Sequence, residues 1–523
     1  MPPRRITLLA GVLAVVLLAG CGQTRQSASS TVPLAAGSES GLASVGRELL
    51  LAIPILRAPN EATRRTLIEV RRRALRTELL SLGRSTTVRA ALRHAYLAGR
   101  LSRTRYDADR ASLAAATVAA RTLSGIEGAS ERAALGIVQG LAVRHQLSAG
   151  RITAAFIQLH RNTKWWSHRG PPPYGQSLLA GNDPVTLRYV PGQGLVVHYL
   201  ASWGRVNALA RYCSAKPAKC PRGRLRSAVD RMLSLGTERA GYLTWESLFS
   251  WDGGAPGWVS AITQGTAIQA LARAASVLNA RSYERAARRA LGAFEHPPPN
   301  GLSVRAHGGR HYLMYSFAPR LRILNGFLRA LTGLRDLSRL DNSHRAFLLY
   351  KAGVSAASHE IRVDDTGAWS LYSDGGAEAS FGYHRLATGF LSDLCDITRR
   401  RDFCADAYRF ALYMVQPPRL RLRVSARPRA GSKAYLALAL SKISKLNLAI
   451  TGPRGPVWSR QMTMARGGRL IAFRAPPRGN YVVSIVAQGP SGPLGRASTQ
   501  LHVLRSQAAV NAARRKRASR RQP

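Results

Sequence analysis

Between residues 46 and 160 apolar positions recur at helical spacing. Leu49, Leu50, Ile53 and Leu56 open one candidate helix, and 68–80 and 88–101 carry two more. No chemistry stands out there, so 46–164 is read as an N-terminal helical region that packs. From 165 the character changes. Trp165-Trp166 and the run Gly170-Pro171-Pro172-Pro173-Tyr174-Gly175 announce a loop. Two short apolar runs, 185–190 and 195–199, flank Pro191-Gly192-Gln193-Gly194 and predict strands, giving a short β region over 165–202. Helical stretches separated by Gly/Pro loops return over 203–415. Within them Leu324, Phe327, Leu328, Leu331 and Leu334 mark one amphipathic helix. It contains Asn325-Gly326, and an interior glycine there predicts close backbone approach. Beyond Pro417-Pro418 the period switches to alternation: Leu420, Leu422 and Val424 lead, and short apolar runs follow at 434–440, 446–450, 470–473, 481–487 and 499–504. That spacing predicts a small β-sandwich of immunoglobulin or fibronectin type over 418–505. The final residues, 506–523, include Arg514-Arg515-Lys516-Arg517 and read as a basic disordered tail.

Length and composition sharpen this reading. A chain of 523 residues is too long for one ordinary core. The formal net charge is +50, which points to a polyanionic partner such as nucleic acid, an anionic membrane surface or an acidic polysaccharide. The excess is nearly all Arg, a bias that a GC-rich genome produces without any function. The N-terminus narrows the choice. Arg4 and Arg5 precede an apolar run from Ile6 to Leu18, too short for a comfortable membrane span, and the pattern is that of an export signal. Its Leu-Ala-Gly-Cys ending resembles a bacterial lipobox. The resemblance implies a lipoprotein signal peptide over 1–20 and a lipidated Cys21 followed by a flexible tether to residue 45. The mature chain is then expected on the extracytoplasmic face of the cell membrane, and nucleic acid drops out as a partner. The other cysteines, Cys213, Cys220, Cys395 and Cys404, fall in two close pairs. They allow three pairings, of which local disulfides are expected in an oxidising compartment. Neither pair has zinc-site spacing, and no metal ligand set is assigned.

Candidate chemistry concentrates in the second helical stretch. In order come Trp258-x-Ser260-Ala-x-x-Gln264-Gly265, then Tyr315-x-x-x-Pro319 leading to Leu324-Asn325-Gly326-Phe327. Next are Asp365-Thr366-Gly367 with Trp369 and Tyr372, and finally Tyr383-His384. Together, over about 245–412, these motifs resemble the C-terminal catalytic domain of the D-glucuronyl C5-epimerase family. That resemblance implies an (α/α) toroid-type helical domain over 203–415 in a mainly α chain, and inversion of C5 in uronic acid units of heparosan-like anionic polysaccharides. Inversion removes a proton α to a carboxylate from one face of the sugar and delivers another to the opposite face, so two acid/base groups must flank the ring. The carboxylate and the charge that builds beside it call for cations or backbone donors. Carried over residue by residue, the resemblance places catalytic tyrosines at Tyr315, Tyr372 and Tyr383. Gln264, Asn325 and His384 are candidates for sugar contact or support, and Trp258 and Trp369 for sugar stacking or core packing. No organic cofactor is implied, and a structural calcium ion enters by family analogy only.

Two departures from the family pattern stand out. The animal enzymes have Glu just before the tyrosine that matches Tyr315, where this chain has Met314. They also have Arg shortly after the tyrosine that matches Tyr372, where this chain reads Ser373-Asp374-Gly375-Gly376. Arg385 or Arg320 is the candidate replacement. Two alternatives therefore stand beside epimerisation. One is a uronate polysaccharide lyase, which starts with the same proton and then expels the C4 substituent. The other is a non-catalytic polysaccharide-binding lipoprotein. A glycosidase would need paired carboxylates, and an aspartic protease would need a second Asp-Thr-Gly loop; the sequence offers neither.

Overall fold

A computed structural model describes residues 87–519. The signal peptide, Cys21, the tether and the candidate helices before residue 81 lie outside the described residues. The chain divides into two compact units. Residues through Arg322, with Arg329–Ala356, form the first; Ile323–Leu328, with Ala357 onward, form the second.

The first unit begins with helices α1 (Val88–Leu97), α2 (Arg103–Thr122), α3 (Gly125–Val143) and α4 (Ala149–Trp166). Thr87 and Ser102 cap α1 and α2 by accepting backbone N–H groups of their first turns. Helix α4 runs through Trp165 and Trp166, so the loop begins later than the aromatic pair suggested. Three short antiparallel strands follow, β1 (Ser177–Leu178), β2 (Leu187–Val190) and β3 (Gly194–Val197). Buried amides on α4 complete the edge of β3. Asn162 accepts from Leu195 N at 2.7 Å and donates to Leu195 O at 2.7 Å, while Gln158 accepts from Val197 N at 3.0 Å. These side chains stand in for a neighbouring strand, as buried backbone groups require. Gly194 has φ +78°, and a Cβ there would lie 2.6 Å from Asn162 Oδ1, so the amide bracket demands glycine.

Helices α5 (Tyr199–Ala215), α6 (Arg222–Leu233), α7 (Ala261–Leu278) and α8 (Arg281–Arg289) come next, with two hairpins among them: β4 (Thr237–Arg239) with β5 (Tyr242–Thr244), and β6 (Ser303–Ala306) with β7 (Gly309–Tyr312). Trp203 and Trp245, both fully buried, meet edge to face at 4.7 Å. Within this unit α7 touches the 329–340 portion of α9 (Leu324–Leu340) almost backbone to backbone. A Cβ on Gly265 would sit 2.7 Å from Ala330 Cα, and one on Gly333 would sit 2.1 Å from Gly265 O. In this helix the close approach falls at Gly333.

The second unit holds the end of α10 (His344–Asp364), then α11 (Phe381–Thr398), α12 (Arg401–Val415) and the C-terminal strands. A four-stranded antiparallel sheet, ordered β11-β10-β13-β14, and a three-stranded one, ordered β12-β9-β8, share one apolar core that includes Leu436, Leu448, Ile471, Val483 and Leu501. Their spans are β8 (Leu420–Val424), β9 (Lys433–Leu440), β10 (Ser444–Gly452), β11 (Gly455–Met464), β12 (Gly467–Arg474), β13 (Gly479–Gln488) and β14 (Leu494–Val503). Residues 507–519, expected as a disordered tail, form helix α13 (Gln507–Ser519). Its Ala, Gln, Arg and Lys content favours helix once charge alone is not taken as a sign of disorder. The four cysteines pair locally, Cys213 with Cys220 and Cys395 with Cys404. No helix among the described residues is long and apolar enough to cross a membrane.

Candidate active site

In the first unit an aromatic cluster surrounds Tyr315. Its ring meets Trp258 edge-on at 5.5 Å and stacks on Phe317 at 5.4 Å, and Phe249 abuts Trp258 at 5.3 Å. Trp258 Nε1 donates to Phe249 O, and Ser316 Oγ accepts from Val259 N at 3.0 Å. The segment 313–317 is thereby pinned to the start of α7. Met314 sits where the family's animal enzymes carry Glu, and its sulfur lies 3.7 Å from Ser260 Oγ. Gln264 is fully buried and satisfied. Its Nε2 donates to Leu243 O and Ala290 O, and its Oε1 accepts from Thr244 Oγ1. It supports the fold and has no surface to offer a sugar. Arg320 is exposed.

In the second unit Tyr372 and Tyr383 come together, with ring centroids 4.7 Å apart and both residues half-buried. Tyr372 opens a tight loop closed by its own N–H on Ala377 O at 2.9 Å. Tyr383 lies in the first turn of α11, where Ser380 Oγ accepts its N–H. A helix N-terminus favours negative charge close by. Asp374, exposed at the loop tip, occupies the stretch where the family's animal enzymes have Arg. Arg385, one residue past His384, lays its guanidinium over Phe381 at 5.4 Å, and its buried Nε has no hydrogen-bond partner. Asn325 is buried too, and its Oδ1 is likewise unpartnered.

Beneath this pair lies a structural column. His384 is fully buried, stacked on Trp369 at 3.8 Å. Its Nε2 donates to Phe410 O at 2.9 Å, so Nδ1 accepts from Ser370 Oγ at 2.7 Å. Burial pushes its pKa down to about 4, fixing the neutral Nε2–H tautomer. Trp369 is fully buried, with Nε1 on Ala379 O at 2.7 Å and Lys442 Nζ 5.3 Å from its ring centroid. Of the two roles open to each, His384 takes support and Trp369 core packing, because neither ring reaches solvent. The Asp-Thr-Gly motif is a turn with a buttress. Asp365 accepts from Gly367 N, Arg409 Nε and Tyr413 Oη, and Gly367 takes φ +75°.

Sequence reasoning missed Asp364. It is buried, and burial first, then the neighbouring charges of Glu360 and Asp374, raises its pKa to about 8. Its position just before the Asp-Thr-Gly motif was the available signal. Among the described residues no group of three or more His, Cys, Asp or Glu is placed to hold a metal ion.

Comparison with known proteins agrees with the motif order. Residues 241–411 match the family model for the D-glucuronyl C5-epimerase C-terminus. A D-glucuronyl C5-epimerase of Caenorhabditis elegans is 35% identical over 130 residues, 22% of this chain and 21% of that protein. An uncharacterized protein of Methanocaldococcus jannaschii is 27% identical over 135 residues, 25% of this chain and 44% of its own length. The match thus spans about a fifth of the first relative and under half of the second. Residues 241–411, which contain Tyr315, Tyr372 and Tyr383, are thus similar to the C-terminus of D-glucuronyl C5-epimerases.

Proposed function

We propose that this protein inverts C5 of uronic acid units in an anionic polysaccharide, as an exported lipoprotein held at the membrane through Cys21. The observation that carries the reading is the half-buried Tyr372–Tyr383 pair at the N-terminus of α11, within the family-matched segment. A tyrosine hydroxyl can both take and give a proton. Tyr315, Tyr372 and Tyr383 are the acid/base candidates, and Arg385 and Arg320 the candidate partners for the substrate carboxylate. In this reading the helices over 203–415 belong to an (α/α) toroid-type arrangement and the C-terminal sheets to an immunoglobulin or fibronectin-like sandwich. Asn325, with its buried unpartnered oxygen, is the remaining candidate for sugar contact.

The test follows product chemistry. Purified protein is incubated with glucuronate-containing polymers, and the sugars are read by NMR and by ultraviolet absorbance. Inverted uronic residues without new chromophore support epimerisation. Unsaturated non-reducing ends assign a lyase. The exposed Asp374 in place of a cation favours a second reading, a polysaccharide-binding lipoprotein without turnover. Binding with unchanged sugars on every polymer would establish that one.

A further inference from the structure

A second candidate ligand site lies in the first unit, outside the family-matched residues. Helices α2 and α4, strands β1 to β3 and the end of α6 enclose a cleft of about 980 Å³. Its cationic lining is Arg105, Arg161, Lys164, Arg169 and Arg231, beside Trp165. Ile157, Arg161, Lys164, Trp165 and His168 recur at three- and four-residue spacing, so one face of α4 supplies much of the wall.

The carboxylates present are too few to neutralise this wall. Buried Asp109 takes Arg105 Nε at 2.9 Å. Asp183 takes both Arg161 at 3.1 Å and Arg231 at 3.5 Å. Two guanidiniums converging on one carboxylate leave a net positive charge in a fixed place. Lys164 is exposed, and Arg169 lies over the Trp165 ring at 4.8 Å, which adds two more cations. Arg161 and Trp165 are part-buried, and the floor is apolar, built on Phe156, Leu187 and Leu195. A concave site with an apolar floor, an aromatic and several preset cations matches a chain of acidic sugars, whose rings are amphipathic and whose carboxylates recur. A flat membrane surface or a rigid duplex fits such a recess less well. The volume accommodates more than one sugar ring.

We infer that this cleft is a separate binding site for an acidic oligosaccharide segment, holding the polymer chain by residues 105–231. The uronate character of the polymer rests on the function proposed above; the preference of the cleft for anionic sugars does not.

The test uses the full chain and a size-defined glucuronate-containing oligosaccharide from heparosan, with binding followed by calorimetry at two salt concentrations. Lys164→Glu with Arg169→Glu reverses two exposed cleft cations. Arg460→Glu with Arg469→Glu reverses two exposed sandwich cations and changes net charge equally. The cleft pair is expected to weaken binding by about tenfold or more, a difference of about 1.4 kcal/mol, while the sandwich pair changes it by less than about threefold. Melting temperatures of both variants should match the parent. Equal losses for the two pairs, equal affinity for neutral dextran, or tighter binding of duplex DNA or anionic vesicles at the same salt would each overturn the inference. Cleft-dependent binding without any C5 exchange would remove the epimerase reading and leave this one standing.

Discussion

His384 holds its place through Ser370 on one side and Phe410 on the other, and its ring is one layer of a stack with Trp369. His384→Ala removes a buried ring and two hydrogen bonds. Its expected cost is about 3 kcal/mol in denaturant unfolding, whereas Tyr383→Phe should leave stability within about 1 kcal/mol. Asp364 behaves differently. With a folded pKa near 8 and an unfolded value near 4, the unfolded state releases its proton first as pH rises. Stability from this group is therefore present below about pH 4 and is lost progressively up to about pH 8. Asp364→Asn should abolish that slope and raise the melting temperature at pH 8. An unchanged pH–stability curve would show that Asp364 ionises freely in the folded chain. The motif order singled out Tyr372 and Tyr383, whose rings lie 4.7 Å apart, so that pairing was legible. The full burial of Gln264 and His384 was not, since a polar side chain satisfied inside a fold leaves no mark in a single sequence.

At the scale of elements, the contact between α7 and the 329–340 part of α9 depends on two glycines. Gly333→Ala places a methyl against the carbonyl of Gly265, so the helices must separate locally. Overpacking of this kind costs about 1–3 kcal/mol, read as a lowered urea midpoint; a neutral result would mean the helices slide freely. Helices α1 and α9 were legible from 3.6-residue periodicity, and most sandwich strands from alternation. Strand β11 escaped, because Gly455–Met464 presents few buried apolar residues: only Met464 is fully buried. The hairpins β4–β5 and β6–β7 escaped for a related reason, being three or four residues long and nested between helices. Helix α13 escaped because its charge outweighed its propensity in the reading.

On the whole-molecule scale, the second unit joins sandwich and helices through two polar struts. Glu378 accepts from Ile443 N and Arg466 N, both at 2.8 Å, and Lys442 Nζ donates to Tyr413 O and Gln416 O near the end of α12. Glu378 closes the loop that begins at Tyr372, so Glu378→Ala should lower stability by about 2 kcal/mol and C5 exchange with it. A loss of stability with full exchange would separate the sandwich from the site. Reducing the disulfides, which close loops with sequence separations of 7 and 9, should cost about 2–3 kcal/mol each. The division at residues 323–328 and 357 was not readable, because it cuts through continuous helices. The most direct measurement is deuterium incorporation at uronic C5 in heavy water, read by NMR for the parent chain, Tyr372→Phe and Tyr383→Phe. The account predicts exchange with inversion in the parent and at least a hundredfold loss, on the order expected for a missing acid/base group, in either variant. Full exchange in both tyrosine variants would contradict it.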